Sequence, residues 1–499
     1  MTVPEPVRPA SSRYLDAVLD PGSFRSWDTP AGPPPGASTG YRAELDRARA
    51  RAGTDESVVT GEGRAGGLRV AVVCSEFGFL AGSVGTVAAA RIVAAAGRAT
   101  TARLPLVLAP ASGGTRMQDG AAAFLAMSGI ARAVAAHRRA GLPVVVHLRH
   151  PTTGGSLASW GSLGSVTVAE PGALVGFLGP KVYRGLTGSA FPDGVQTAEN
   201  LYRHGVVDAV LDTAGFAGFL RRVVALTRHA PTPVPPAPEP GPAPGPVPDA
   251  WTSVTATRRP DRPGVRDLLT DPDTVLLHGT GAGETAAATV LCLTRFGTSP
   301  CVLVGQDRTA TRPVGPADLR VARRGARLAG ELGLPLVTVV DTAGAELSPA
   351  AEQGALAGEI ARCLAGPGGP GGPVVSVLLG QGGGGAALAL LPADRVLAAR
   401  HAWLTPLPPE GASVIVHGTP DRAPETVAAQ RVRSADLLAL GAVDRIVEEC
   451  PDAADEPAAF VARMRAALAE EIPRAVGTHP PPISYRPPRP GDRPCCSPR

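Results

Sequence analysis

The feature that most constrains this chain is that it repeats itself at long range. Leu104-Pro105-Leu106-Val107 returns as Leu334-Pro335-Leu336-Val337, and Gly141-Leu142-Pro143-Val144-Val145 returns as Gly371-Gly372-Pro373-Val374-Val375, at a common offset of 230 (334 − 104, 373 − 143). Ser112-Gly113-Gly114 falls opposite Thr342-Ala343-Gly344, and His204-Gly205-Val206-Val207-Asp208 falls opposite Leu440-Gly441-Ala442-Val443-Asp444. A repeat this long means two copies of a whole domain rather than a stack of small units. Within each copy, short apolar runs read as buried strands and alternate with Ala-rich helical stretches, so the class is α/β.

The chain has 499 residues, more than one core ordinarily serves. Residues 1–55 are polar and rich in Pro and Gly, an expected flexible segment with one helical patch at Tyr14-Leu15-Asp16-Ala17-Val18-Leu19. A first domain is expected over 56–228. From His229-Ala230-Pro231-Thr232-Pro233-Val234-Pro235-Pro236 to Pro248 the sequence suits neither a helix nor a central strand, so 229–250 reads as a semi-rigid linker. A second domain follows over 251–472, and the Pro- and Arg-rich stretch 473–499 reads as a disordered tail.

Several function classes drop out. A net charge of +4 over this length leaves no footprint for nucleic acid. The seven cysteines, at 74, 292, 301, 363, 450, 495 and 496, include no CxxC and no metal-ligand spacing, so neither a disulfide framework nor zinc is expected. The first residues carry no apolar signal core and no apolar run reaches the length of a membrane span, which predicts a cytoplasmic protein with no membrane partner. No Gly-x-Ser-x-Gly elbow, Walker-A loop, His-Glu-x-x-His or Cys/His cluster is present, and Lys181 is the only lysine.

What remains is a set of glycine turns. Gly113-Gly114 lies between the apolar run 104–109 and the helical run 121–127, and Gly154-Gly155 follows the apolar run 142–148. Gly344 and Gly385-Ala386 occupy the matching turns of the second copy. N–H groups on such turns, at the positive end of a helix, suit a developing oxyanion. Two copies imply two such holes and two substrates, each with a carbonyl. His147, His150 and Asp341 end strands and receive no catalytic role.

At this point the residues resemble a known family. Val58-Val59-Thr60-Gly61-Glu62-Gly63, Gly82-Ser83-Val84-Gly85, the run Ser112 to Gly120, Pro151-Thr152-Thr153-Gly154-Gly155 and the run Ala169 to Phe177 resemble the β subunit of bacterial acetyl-CoA carboxylase carboxyltransferase. Leu277-His278-Gly279, Val304-Gly305-Gln306, the run Leu334 to Ala345 and the run Gly380 to Leu388 resemble its α subunit. The resemblance implies two tandem crotonase-like (ClpP/crotonase) βαβ-superhelix domains, with the active site formed across a homodimer or higher homo-oligomer. It implies transfer of a carboxyl group from carboxybiotin to acetyl-CoA or another short acyl-CoA, giving malonyl-CoA for fatty acid or polyketide supply. In the first half Gly113, Gly114, Gly154 and Gly155 would serve the thioester oxygen; in the second, Gly344, Gly385 and Ala386 would serve the ureido oxygen. Arg116 and Lys181 are the candidates for phosphate or carboxylate contacts. A biotin carboxyl carrier protein and a biotin carboxylase are implied as partners, because Lys181 lacks a flanking Met and sits in no carrier-like hairpin.

The sequence departs from the family at four points. The region Asp20 to Phe24 lacks the cysteines of the usual zinc ribbon. The usual Asp-Thr-Pro-Gly is Asp341-Thr342-Ala343-Gly344, Ala386 stands for the second glycine of the α-side turn, and Thr280-Gly281-Ala282-Gly283 follows His278-Gly279. Three other readings stay open: a hydratase or thioesterase using Asp119 or Glu170, a biotin-dependent decarboxylase, and a non-catalytic subunit.

Overall fold

The computed structural model describes residues 9–228, 247–366 and 372–477. Contacts divide the chain into two compact units, the first comprising residues up to Arg228 together with Leu277–Thr285, the second the remainder. Most of the expected linker, and the tail beyond Gly477, lie outside the described residues.

In the first unit a seven-stranded sheet runs in chain order: β1 (Arg25–Ser26), β2 (Val58–Ala65), β3 (Leu68–Ser75), β4 (Leu106–Ala109), β5 (Val144–Leu148), β6 (Val166–Ala169) and β7 (Ala209–Val210). β2 and β3 form an antiparallel hairpin turned at Gly66-Gly67, both at positive φ; from β3 onward every pairing is parallel. Strands β4 and β5 are buried at every position, as near-continuous Val/Leu runs in a parallel sheet require. Its helices are α1 (Ala10–Val18), α2 (Thr39–Ala52), α3 (Thr86–Thr101), α4 (Gly120–Arg139), the short α5 (Gly154–Ser156), α6 (Pro180–Thr187), α7 (Ala198–Arg203) and α8 (Thr213–Leu226). Ile92, Ala96 and Ala99 of α3 pack with Ile130 and Val134 of α4 in the main core.

The second unit repeats this order. Its sheet runs β8 (Val275–Leu277), β9 (Thr289–Phe296), β10 (Ser299–Gln306), β11 (Leu336–Thr342), β12 (Val374–Gly383), β13 (Arg395–Ala399) and β14 (Arg445–Val447), with Trp403–Thr405 pairing the end of β12. β9 and β10 are the antiparallel hairpin, and β10 to β14 pair in parallel. Helices α9 (Ala250–Thr257), α10 (Pro316–Leu332), α11 (Pro349–Gln353), α12 (Leu356–Leu364), α13 (Gly384–Leu388), α14 (Pro409–His417), α15 (Ala423–Gln430), α16 (Ser434–Ala439) and α17 (Pro457–Gly477) complete it. α10 has clear end signals: Pro316 in the first turn, Asp318 accepting from the Gly315 N–H at 2.9 Å, and Gly333 at φ 62° as the stop.

Four expectations need correction. Of the 1–55 segment, residues 9–55 are held in place rather than flexible. Tyr41, Leu45, Ala48 and Ala52 recur at helical spacing and are buried, a stripe hidden by the polar composition around it. Asp28 accepts from the Thr60 N–H at 2.8 Å, and Asp55 takes Arg91 of α3. At the other end, α17 continues through Pro473 to Gly477 with Ile472 and Ala475 buried, so the tail does not begin at 473. Leu277–Thr285 belongs to the first unit: Gly281 N–H donates to Gly205 C=O at 2.8 Å, and His278 stacks on Tyr202 with centroids 4.2 Å apart. Finally, Met117–Arg139 is long and apolar enough to cross a membrane by length and composition. Its Ala123, Met127, Ile130 and Val134 are core residues of the sheet unit.

α1 is moored through His147 on β5. Tyr14 OH lies 3.0 Å from Nδ1, the Nε2–H donates to Leu211 C=O at 3.2 Å, and the ring stacks on Phe216 at 4.2 Å. Burial pushes the imidazole down to about 3, and His137 to about 4. The unfolded chain therefore binds protons near pH 6.5 that the folded chain refuses, so this contribution is complete above that pH and is lost as the pH falls. Urea titrations between pH 7 and 4.5 should give a stability slope that His147→Gln flattens by about 1.4 kcal/mol per pH unit.

Candidate active site

The turn after β4 and the turn after β5 meet main chain to main chain. Gly114 (φ 109°) and Gly154 (φ 59°) face each other so closely that a Cβ on Gly154 would lie 3.3 Å from Gly114 Cα, and a Cβ on Gly114 would lie 3.4 Å from the Gly155 nitrogen. The positive φ at both positions favours glycine, and a side chain at either would press on the facing main chain. The turns are cross-tied: Thr153 N–H donates to Ser112 C=O at 2.9 Å, and Ser156 Oγ–H to Ser112 Oγ at 2.9 Å.

The hydrogen bonding sorts the expected donors. Gly113 N–H is committed to Ala81 C=O at 2.9 Å, Gly114 N–H to Ser112 Oγ at 3.0 Å, and Gly154 N–H to Phe177 C=O at 2.9 Å. These three shape the site and have no N–H left for a ligand. The Gly155 N–H, in the first turn of α5, donates to no other described residue, nor does that of Thr115. Thr115 is the donor that the glycine pattern missed. The isolated bridge to Val84 uses the groups on either side of it (Val84 N–H to Gly114 C=O, Arg116 N–H to Val84 C=O), which turns its own N–H the other way. It sits directly beside Gly155, where an added Cβ would collide with its Oγ1.

The offset of 230 carries this arrangement into the second unit. Gly344 N–H is committed to Thr342 Oγ1 at 3.2 Å, and Ala345 bridges Val314 as Thr115 bridges Val84. Gly384 (φ 65°) opens α13 as Gly154 opens α5, and a Cβ on Gly383 would collide with Ala343 C=O. The N–H groups that donate to no other described residue are those of Ala345, Gly385 and Ala386, the last two in the first turn of α13. Ala386 is thus the counterpart of Ser156, not of a turn glycine. It lies inside α13 and is absent from the positive-φ residues, so the alanine is unstrained there.

Arg116 is corrected outright: its side chain is 1% exposed and touches no surface a substrate reaches. It pairs with Glu56 (Nη1 to Oε2, 3.1 Å) and donates to Ser57 Oγ at 3.0 Å and Ser83 C=O at 2.8 Å, pinning the turn from behind. Lys181 is exposed near the start of α6, four residues past the Phe177 carbonyl that holds Gly154. The carboxylates considered for acid–base work are engaged. Asp119 accepts from Tyr41 OH at 2.5 Å and Thr86 N–H at 2.7 Å; burial pulls its carboxyl up, but these bonds outweigh it and hold it below the usual range. Glu170 accepts from His150 N–H at 2.8 Å. Asp341 is fully buried, pairs with Arg308 at 3.2 Å and accepts from Gln381 N–H at 3.0 Å; burial pushes its carboxyl up, and Arg308 offsets this in part. Among the described residues no group of three or more His, Cys, Asp or Glu side chains gathers into a metal site.

A duplicated parallel-sheet unit whose strand ends present main-chain donors is the architecture of crotonase-like carboxyl-transfer proteins, and the comparisons agree. The carboxyl transferase domain model matches residues 10–482. The chain is 59% identical over 472 residues to the probable biotin-dependent acyl-coenzyme A carboxylase beta3 subunit of Mycobacterium tuberculosis, covering 93% of this chain and 94% of that protein. It is 39% identical over 486 residues to the acetyl-coenzyme A carboxylase carboxyl transferase subunits beta/alpha of Salinispora tropica, covering 92% and 86%. Among solved structures it superposes on the transcarboxylase 12S hexamer core crystallised with methylmalonyl-coenzyme A, with a TM-score of 0.73 at 19% identity over 97% of this chain and 92% of that one. The chain belongs to the carboxyl transferase domain family.

Two outcomes follow. Gly155→Ala drives a methyl group into Thr115 Oγ1, which pushes the two donor-bearing turns apart, and should cut carboxyl-transfer turnover about 10²-fold, the scale of a misplacement of about 1 Å. Steady-state kinetics on the folded variant checks it. Arg116→Ala leaves Glu56 buried and unpaired, and should lower stability by about 3–5 kcal/mol in chemical denaturation.

Proposed function

We propose that this chain is the carboxyltransferase subunit of a biotin-dependent acyl-CoA carboxylase, acting in the cytoplasm on acetyl-CoA or another short acyl-CoA. The observation that carries the reading is the doubled set of unengaged main-chain donors: Thr115 and Gly155 in one unit, Ala345 and Gly385 in the other. Each set sits where two glycine-bearing turns meet closely, which suits a planar substrate whose oxygen gains negative charge. A thioester carbonyl and a ureido carbonyl are two such groups. The match to a protein named as an acyl-CoA carboxylase beta3 subunit along nearly its whole length supports the pairing.

The residues of this chain bind and orient. Thr115 and Gly155 N–H groups stabilise the thioester oxygen as the α-carbon loses its proton, and Ala345 and Gly385 N–H groups hold the ureido oxygen of the second substrate. Carboxybiotin, when bound, supplies the carboxyl group and accepts the α-proton on its ring nitrogen. No side-chain base is then needed, in keeping with Asp119 and Glu170 being tied up in structural bonds. A hydratase would need one of them free beside the turn. Lys181 is assigned to a CoA phosphate. Exposed Met117, Phe124 and Leu125 near the first site, and Val414, Ile415 and Val416 on α14, suit burial against a second copy, so a homodimer or larger homo-oligomer is proposed. Biotin and ATP chemistry are assigned to a separate carrier and carboxylase.

The purified chain should decarboxylate malonyl-CoA or methylmalonyl-CoA only when free biotin is added, and the ratio of the two rates ranks the acyl preference. Biotin-independent release of CO₂, or no turnover with either thioester, overturns the reading. A streptavidin blot should be blank at the mass of this chain.

A further inference from the structure

We infer that Gln306 is a positioning residue for the second-unit site, setting the distance between its two donor-bearing turns; the inference rests on the functional reading above. Gln306 ends β10, is 1% exposed, and spans from one turn to the other. Its Nε2–H donates to Ala386 C=O at 2.8 Å, and its Oε1 accepts from Asp341 N–H at 3.1 Å. The amide orientation is dictated by its partners, since a carbonyl only accepts and an N–H only donates. Asp341 leads through Thr342 to the Gly344-Ala345 turn, and Ala386 belongs to the first turn of α13 beside Gly385. The Ala386 carbonyl is not satisfied by a regular helical bond, because the Leu390 N–H goes to Ala387 C=O instead. One buried amide thus satisfies that carbonyl and sets the rotation of α13, and with it the aim of the Gly385 N–H.

The first unit solves the same problem differently, and the contrast identifies the role. There the tie is the Ser156–Ser112 hydroxyl pair at 2.9 Å. The counterparts in the second unit are Ala386 and Thr342, and alanine has no hydroxyl to give. The position equivalent to Gln306 in the first unit is Ser75, each ending its strand opposite the matching hairpin residue (Val58 and Thr289), and the buried Ser75 side chain is too short to span the two turns. Where the hydroxyl pair is lost, a glutamine supplies the tie; where the pair is present, that position carries a serine that does not span the turns.

The test is biotin-dependent decarboxylation of malonyl-CoA by the full chain, with free biotin as the probe. Gln306→Leu should lower kcat about 10²-fold, the scale of a donor displaced by about 1 Å. It should raise the KM for biotin and leave the KM for malonyl-CoA unchanged. Adding A386S to Q306L restores the hydroxyl tie to Thr342 Oγ1 and should recover at least tenfold of the loss. A folded Q306L within twofold of wild type, an equal rise in both KM values, or a double variant no faster than Q306L overturns the inference. If Q306L does not fold, Gln306→Glu decides: it regains a donor only when protonated, so its turnover relative to wild type should rise as the pH falls, and a flat ratio overturns the inference. Failure of the wild-type chain to turn over with biotin marks failure of the functional reading instead.

Discussion

Everything at the two candidate sites depends on main chain meeting main chain. The turns after neighbouring parallel strands come into close main-chain contact: a Cβ on Gly154 would lie 3.3 Å from Gly114 Cα, and in the second unit a Cβ on Gly383 would collide with Ala343 C=O. At that separation the main-chain N–H groups are what the turns present, and the proposed function rests on them. A parallel sheet supplies the geometry: its strand ends lie side by side, and each leads into a helix whose first N–H groups have no internal partner.

Holding two such turns in place is a task for buried polar groups, because an unpaired donor or acceptor there costs about 1–3 kcal/mol. Behind the first turn the Arg116 guanidinium satisfies Glu56, Ser57 and the Ser83 carbonyl together. Behind the second-unit turn, Asp341 is gripped by Arg308 and the Gln381 N–H, while Arg262 and Glu449, both fully buried, close the strand ends below it. The two units conserve backbone geometry and differ in the side chains that enforce it. Backbone donors survive such replacement, since a tie can be rebuilt from another position as long as it reaches the same atom.

This division also underlies the proposal that main-chain donors, rather than a histidine or carboxylate, serve carboxyl transfer here. Charge that develops on a substrate oxygen is met by fixed dipoles that need no reorganisation. The titratable groups near the turns are committed to the scaffold, which keeps them from competing for the proton.

The sequence by itself determined the class, the duplication and the location of the turns. Repeated Leu-Pro-Leu-Val strands and Gly-Gly turns are local patterns whose period and spacing survive without knowledge of contacts. It also named Gly155 and Gly385, whose N–H groups donate to no other described residue. Only the tertiary structure decided which N–H groups remain unengaged, because that depends on partners far away in sequence: Ala81 takes Gly113, Phe177 takes Gly154, and the Val84 bridge turns Thr115 outward. The same holds for Arg116, whose charge looked available until Glu56, 60 positions earlier, came to lie against it. Residues 9–55 read as flexible because composition averages over a stripe as thin as Tyr41, Leu45, Ala48 and Ala52. Whether a polar group meets a ligand or another part of the chain is a property of the packed fold, and no local pattern carries it.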